Sequence, residues 1–435
     1  MTKKSNLTKR IFISMFLGAL FGLIIQRTNS EFIKDTIILN GFIKILSNIF
    51  LSSIKMMVVP LVFISLTCGA SSIEDIAKLG KIGGKTLLFY IATTCIAISI
   101  GVITALTIKP GVGLNLSNLL VSEANISQSR SFIDILIDII PTNPIESLVS
   151  GNMLQIIFFS ILLGISISLV GEKGSIIKKG FESLNEIIMK IVQIIMNFAP
   201  IGIFALMANT FATIGFNAMI PLLKYMLVIL LSLIIHSVLI YFGLFKIFTK
   251  LSLKPFLKKF IKPASIVFST ASSNAALPVT IDAVNEMGVD NSVSSFTIPL
   301  GATINMDGTA IMQGVAAIFI AQVYNIELGL PAILTIIMTA TLASIGTAGV
   351  PGVGMVMLSM VLQSVGLPIE GIGLILGIDR ILDMCRSTVN TMGDCICTII
   401  ISKSENYFDE EKYYSKSDNS EACSDDLYEN MDNSI

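Results

Sequence analysis

Apolar stretches of about 20 residues recur along this chain from near its start to residue 402, and that recurrence restricts the possible folds more than any other feature. A helix needs about 20 apolar residues to cross a hydrocarbon core about 30 Å thick. Within that core every backbone polar group must be satisfied internally, so only helices and closed barrels span it. The runs are too long for barrel strands of about 9–11 residues. They fall at about 11–28, 41–69, 83–108, 152–171, 183–212, 222–248, 296–323 and 372–402. Only 14% of residues are charged, against about 25% in soluble domains. The expected class is an all-α integral membrane protein with eight transmembrane helices.

Lysines and arginines set the orientation, because cytoplasmic loops carry them in excess. One set of loops holds Lys3, Lys4, Lys9 and Arg10, then Lys78, Lys81 and Lys85, then Lys173, Lys178 and Lys179, then Lys246 to Lys262. The opposite set holds only Arg27, Lys34, Lys109, Arg130 and Lys224. Residues 1–10 therefore read as a cytoplasmic N-terminus leading into an uncleaved first span. Eight spans return the C-terminus to the same side of the cell membrane. Lys403 to Ile435 carry a net charge of −7, leaving +6 on the remainder. This acidic segment, 403–435, reads as a disordered cytoplasmic tail, and no basic block argues for nucleic acid.

Two further apolar segments are interrupted. Residues 333–345 and 355–367 are short arms around Gly346-Thr347-Ala348-Gly349-Val350-Pro351-Gly352-Val353-Gly354. At about 1.5 Å per residue, neither arm crosses a bilayer. Irregular backbone at membrane depth is tolerated only inside protein or beside a cavity, so the segment reads as a re-entrant hairpin. Residues 256–290 repeat the design around Ser269-Thr270-Ala271-Ser272-Ser273-Asn274-Ala275-Ala276-Leu277-Pro278. Each is followed by a span with a polar interruption: Gly301-Ala302-Thr303-Ile304-Asn305-Met306-Asp307-Gly308-Thr309 after the first, and the charged last span after the second. Hairpin and broken helix, twice over, suggest inverted repeats with a binding site between them.

The last span carries Asp379, Arg380, Asp383, Arg386, Ser387, Asn390 and Asp394. Ionisable residues at membrane depth are costly and mark function by default. At about 100° per residue, Asp379, Asp383, Arg386, Asn390 and Asp394 share one stripe about 80° wide. The competing reading is internal ion pairing that glues helices together, such as Asp383 with Arg386. A guanidinium offers a planar fork to a carboxylate, and a carboxylate one turn away can hold an ammonium. Asn390 and Ser387 add neutral hydrogen bonds. Asp307 and Asp394, beside asparagine oxygens and the carbonyls of Gly301 and Asn305, suit a hard cation. The six cysteines and the single histidine, His236, form no cluster in sequence, and no disulfide framework, zinc site or cofactor is expected.

Taken together, Asn305-Met306-Asp307-Gly308-Thr309, the Ala343-to-Gly352 tip and Asp383-x-x-Arg386-Ser387-x-x-Asn390-x-x-x-Asp394 resemble the dicarboxylate/amino acid:cation symporters, relatives of the excitatory amino-acid transporters. The resemblance runs over about residues 8–402. It implies a homotrimer, not an enzyme, that imports glutamate or aspartate with sodium by an elevator-type movement. The scaffold would take the first, second, fourth and fifth spans, within about 11–69 and 152–248. The mobile transport domain would take the third span, about 83–108, and 222–402. Arg386 would hold the substrate's side-chain carboxylate and Asp383 its ammonium. Asn390, Ser387, Ser272 and Ser273 would hold the main carboxylate, with Thr309, Val350 and Gly354 lining the pocket. One sodium site would use Gly301, Asn305, Asn390 and Asp394; a second, Thr303 and Met306 with Ser344, Ile345 and Thr347; a third, Tyr90, Thr93, Thr94, Asn305 and Asp307.

The sequence departs from that family in places. Ala271 stands where archaeal members have arginine, while Arg380 supplies one from the last span. Ser387 replaces the commoner threonine. Gln313 stands where proton-coupled animal members have glutamate, which leaves that position without a titrating group. Neutral amino-acid carriers usually lack the arginine at the Arg386 position, and C4-dicarboxylate carriers lack the aspartate at the Asp383 position. Cystine import, proton coupling, a channel and an intramembrane aspartyl protease are the remaining alternatives. The protease would need Asp394 and Asp307 as a pair, but Asp307 sits in a polar broken stretch.

Overall fold

A computed structural model describes residues 7–27, 38–39, 41–71, 81–114, 137, 139–213, 215, 219–344 and 352–415. Helix dominates, and among the described residues the only β pairing is an isolated bridge between Val289 and Phe408. The helices used below are α1 (Leu7–Gln26), α2 (Lys44–Ser71), α3 (Lys81–Ile108), α4 (Met153–Leu169), α5 (Ser175–Asn197) and α6 (Ala199–Thr213). Next come α7 (Met219–Thr249), α8 (Leu253–Thr270), α9 (Leu277–Glu286), α10 (Asn291–Ile304) and α11 (Asp307–Val323). The chain ends through α12 (Leu330–Ser344), α13 (Val353–Ser364), α14 (Asp379–Ser404) and α15 (Glu410–Tyr414).

Five helical stretches among the described residues are long and apolar enough to cross a membrane, and α5 with α6, bent by 50° at Phe198, would make a sixth. Two expected spans fall short of that measure. In one, α4 has only 17 residues. In the other, 372–402, the chain breaks between Ile375 and Asp379 and then turns charged.

Packing groups the helices into two sets, which meet where α13 packs on α2 and α4 and α12 packs on α4. In one, α1 lies along α6, and α2 packs against α4, α5 and α6. In the other, α11 is the buried centre; it packs on α3, α7, α12, α13 and α14, and α14 also meets α8 and α10. Within each set, helices approach through glycine, as they do where lipid supplies no hydrophobic drive and close packing must hold them. A Cβ on Gly18 would sit 2.5 Å from the Phe204 carbonyl oxygen, and one on Gly101 would sit 2.8 Å from that of Ile311. Between the sets the contacts differ. Gly352, Gly373 and Gly377 face the side-chain ends of Met196, Leu206 and Met207, and Lys55 of α2 pairs with Glu370 at 2.6 Å.

The first interrupted segment folds as α8 packed on α9. Ala271 takes a left-handed conformation (φ +52°), which ends α8. Ser272 and Ser273 form the tip, and Pro278 enters the first turn of α9, where its missing N–H costs nothing. The second segment folds as α12 packed on α13; Ile345, Thr347 and Val350 of its tip lie outside the described residues. The polar interruption at Asn305 and Met306 leaves α10 and α11 as two helices with a non-helical link.

The expected disordered tail starts too early. Lys403 and Ser404 continue α14, and the chain then folds back as far as Ser415. Asp290 N donates to Tyr407 O at 3.0 Å and Asp409 N to Gly288 O at 2.7 Å. Tyr413 is fully buried and bonds Ser252 O at 2.7 Å. Lys259 donates to the carbonyls of Glu286, Lys412 and Tyr413. Net charge suggested disorder, but Phe408 and Tyr413 pack on the core and hold this part folded. Residues 416–435 lie outside the described residues.

Candidate functional site

The α14 stripe faces the interior. Asp379, Asp383, Arg386, Ser387, Asn390 and Asp394 are all buried, with Arg386 only 1% exposed. Arg386 Nη1 donates to Asp379 Oδ1 at 2.5 Å and Nη2 to Asp383 Oδ1 at 3.0 Å. Its Nε is buried without a partner. Arg380 lies 3.5 Å from Asp383 Oδ2 and donates to Thr270 O of the first hairpin at 3.4 Å. The ion pairing weighed above as helix glue is therefore present. It lies inside α14, however, and joins no two helices. Two carboxylates converge on one guanidinium, and a third group able to use its free Nε would complete the fork.

The pocket elements meet around this arginine. A Cβ on Gly354 would come 3.2 Å from Thr309 Cγ2 and 3.7 Å from Arg386 Nη2, so α13, α11 and α14 converge there. A cavity of about 40 Å³ is lined by Asp379, Arg380 and Asp383 together with Gly352, Met355 and Val356. Phe50, Ile54 and Met196 of the other helix set close its far wall. That volume holds about one to a few waters. Ser272 and Ser273 are buried at the first tip, and the Ser272 hydroxyl accepts from Ala275 N at 3.3 Å.

One step deeper, the broken helix and α14 knit together. Asn305 Nδ2 donates to Asp394 Oδ1 at 2.8 Å and to Asn390 O at 2.9 Å. Gly308 N donates to Asn390 Oδ1 at 2.7 Å, and Asn390 Nδ2 approaches Met306 Sδ at 3.3 Å. A Cβ on Gly301 would overlap Asp394 Oδ1 and reach within 2.5 Å of Tyr90 Oη. Glycine there leaves the carbonyls, the phenol and the carboxylate facing one small space. Asp307, fully buried, accepts from Thr94 Oγ1 on Oδ1. Thr93 bonds the Tyr90 carbonyl at 3.2 Å, and Tyr90 Oη lies 3.4 Å from Thr297 O. Buried carboxylates among carbonyl, hydroxyl and amide oxygens form a donor set that fits a hard monovalent cation, and charge neutralisation favours one in so dry a setting.

The structure thus brings together Gly301, Asn305, Asn390 and Asp394, and it pairs Thr94 with Asp307, while Tyr90 Oη lies on the side of the first group, near Gly301 and Thr297 O. It does not assemble the remaining set in the same way. The hydroxyls of Thr303 and Ser344 bond their own helices, at Leu300 O and Thr341 O, while Ile345 and Thr347 are outside the described residues. Among the described residues, no cluster of His, Cys, Asp and Glu could hold a metal by those side chains alone. His236 needs correction: it looked isolated in sequence, yet its Nε2 lies 3.1 Å from Asp307 Oδ2, which also accepts from Tyr241 at 2.8 Å. A separation of 71 residues hid the pair.

The sequence profile of the sodium:dicarboxylate symporter family matches residues 7–404. The chain belongs to that family. The sodium:dicarboxylate symporters are transporters, not enzymes. The chain is 36% identical over 417 residues to the proton/sodium-glutamate symport protein of Bacillus caldotenax, covering 94% of this chain and 97% of that protein. It is 35% identical to the proton/glutamate-aspartate symporter of Escherichia coli (strain K12), over 94% of this chain and 95% of that one. It is 34% identical to the C4-dicarboxylate transport protein of Bacillus subtilis (strain 168), with the same coverage.

Proposed function

We propose that this symporter carries an acidic amino acid, glutamate or aspartate, into the cell together with sodium ions. The observation that carries the reading is the buried Arg386 with Asp383 3.0 Å away on the same helix face: an anion receptor beside a cation receptor, in contact with Gly354 and Thr309. The substrate's side-chain carboxylate takes the fork of Arg386, and its ammonium takes Asp383. Asn390, Ser387 and the Ser272–Ser273 tip receive the main carboxylate. Arg380 steadies Asp383 from the far side.

Sodium enters as cargo. Gly301, Asn305, Asn390 and Asp394 form one site, and Tyr90, Thr93, Thr94, Asn305 and Asp307 another; Thr303, Met306, Ser344, Ile345 and Thr347 are proposed for a third. Each ion offsets a buried carboxylate, so substrate and ion favour each other's binding, and the coupling is reciprocal. The glutamate symporters among the relatives are named for proton and sodium both, which supports cation coupling and leaves the ion to experiment. The C4-dicarboxylate relative favours a second reading, in which substrates lack an amino group; Asp383 on the pocket wall argues against it.

The same reading extends to architecture: eight spans with two re-entrant hairpins related by inverted repeats, both termini cytoplasmic, in the plasma membrane. The two packing sets correspond to a scaffold, which forms the homotrimer, and a transport domain that moves as an elevator. The lysine asymmetry between loops and the partition of contacts support it. Uptake of labelled glutamate, aspartate and succinate into proteoliposomes, under sodium or proton gradients, is the test. Uptake of succinate in preference to both amino acids overturns the substrate, and indifference to sodium overturns the ion.

A further inference from the structure

We propose that His236 and Tyr241 are positioning residues for cation binding, tethering one oxygen of Asp307 so that the other faces the Thr94 hydroxyl of α3. The inference rests on the reading of Asp307 as a cation ligand and adds to it.

Helix α7 changes pitch in its middle. His236–Tyr241 form a π-helical turn, closed by Phe242 N donating to Ser237 O. Such turns occur mostly as single bulges, frequently at functional sites. Here the geometric consequence is definite. On a regular α-helix, residues five apart point about 140° away from each other, so His236 and Tyr241 could not reach one atom. The wider turn swings them together. Their rings sit 4.5 Å apart, edge to face, and both end on Asp307 Oδ2, at 3.1 Å and 2.8 Å.

Two independent features support a positioning role over simple packing. The first is an abandoned polar atom: His236 is fully buried, and its Nδ1 has no hydrogen-bond partner. Leaving a buried ring nitrogen unsatisfied is unfavourable, and a residue chosen for packing would avoid it. The second is Gly393 of α14. A Cβ there would overlap the Tyr241 hydroxyl and come within 2.6 Å of Asn305 Nδ2. The missing side chain is the opening through which the phenol reaches the carboxylate.

With the proton on Nε2, the imidazole donates to Oδ2, and the phenol donates to the same atom. That oxygen is then occupied. Oδ1 is the one turned to Thr94 of α3, and it is the oxygen left for an ion. Asp307 thereby becomes a one-oxygen ligand of fixed direction. Partners of this kind, which hold a ligating group from behind, set metal affinity as well as ligand orientation.

The test is L-aspartate binding to purified full-length protein across a sodium chloride titration, with folding checked by circular dichroism and size exclusion. In Tyr241→Phe the half-saturating sodium concentration should rise about tenfold, with L-aspartate affinity at saturating sodium changing less than about twofold. His236→Leu should do the same, while His236→Gln, whose amide nitrogen can still donate, should stay near wild type. In an Asp307→Asn background, Tyr241→Phe should add no further shift, because the tethered charge is gone. Wild-type sodium dependence in folded Tyr241→Phe overturns the proposal, as does a full-size shift that persists in Asp307→Asn. Equal shifts in His236→Leu and His236→Gln overturn the part assigned to His236. If Asp307→Asn alone keeps the wild-type sodium dependence, the ligand reading fails, and that outcome is separable from failure of the tethers.

Discussion

Arg386→Cys should weaken the binding of acidic amino acids while sparing or improving that of small neutral ones. The size of the loss follows from how the guanidinium is already used. Two of its donors are spent on Asp379 and Asp383, and Nε is idle. A guanidinium has five N–H donors, and Nε is the nitrogen with no partner at all; a substrate carboxylate gains at least that one charged hydrogen bond, roughly 1.5–3 kcal/mol. That corresponds to about a 10- to 150-fold loss of affinity. Removing the arginine also strands two buried carboxylates, which costs about 3–5 kcal/mol unless they take up protons. A companion variant, Arg386→Lys, therefore keeps the charge while losing the fork, and should fall between wild type and cysteine. The assay is competition of L-aspartate, L-glutamate and L-serine at saturating sodium on folded protein. Unchanged affinity for the acids in Arg386→Cys, or equal loss for aspartate and serine, refutes the reasoning.

With Asp383 proposed as the ammonium receptor, Asp383→Asn should lose most aspartate binding, and succinate should compete poorly against the wild type; succinate competing as well as aspartate sinks that role. Asp394→Asn keeps the shape and removes the charge, so apparent sodium affinity should fall by an order of magnitude or more, with substrate affinity reduced mainly at low sodium; a folded variant with the wild-type sodium dependence contradicts it. Outside the membrane, the Lys85 ammonium, 2.5 Å away, holds the Glu405 carboxyl below its usual range. A depressed carboxyl stabilises fully above its unfolded value, about 4.3, and that stabilisation disappears as pH falls through the lower folded value. The segment Tyr407–Tyr414 should therefore become more sensitive to pepsin below about pH 4, and Glu405→Gln should remove the pH-dependent part; identical profiles would refute the tether.

The local features of this fold were legible because each rests on short-range pattern. Apolar length marked α2, α3, α7 and α11, and the Ser-rich stretch before Pro278 marked the break between α8 and α9. A 3.6-residue period put Asp379, Asp383, Arg386, Asn390 and Asp394 on one face, and all five are buried. The illegible part is where distant segments meet. Nothing in the sequence around His236 announces a π turn, and no spacing rule joins it to Asp307. Asp379 was read as one member of a stripe, yet at i,i+7 it supplies the nearer carboxylate of Arg386. The acidic charge averaged over Lys403 to Ile435 masks Phe408 and Tyr413, which pack at its start.

Two kinds of glycine contact occur in this molecule. Where Gly18 and Gly101 meet carbonyl oxygens of α6 and α11, backbone touches backbone, and a displacement of even an ångström would drive rigid atoms into each other. Where Gly352, Gly373 and Gly377 meet Met196, Leu206 and Met207, a smooth surface touches soft, rotatable tips. Thioether and leucyl ends can change rotamer and follow the opposite face as it moves. One ion pair, Lys55 with Glu370, crosses that boundary among the described residues, and both its partners are partly open to solvent. On the proposed elevator movement, shear along this boundary would leave the backbone contacts at Gly18 and Gly101 in place.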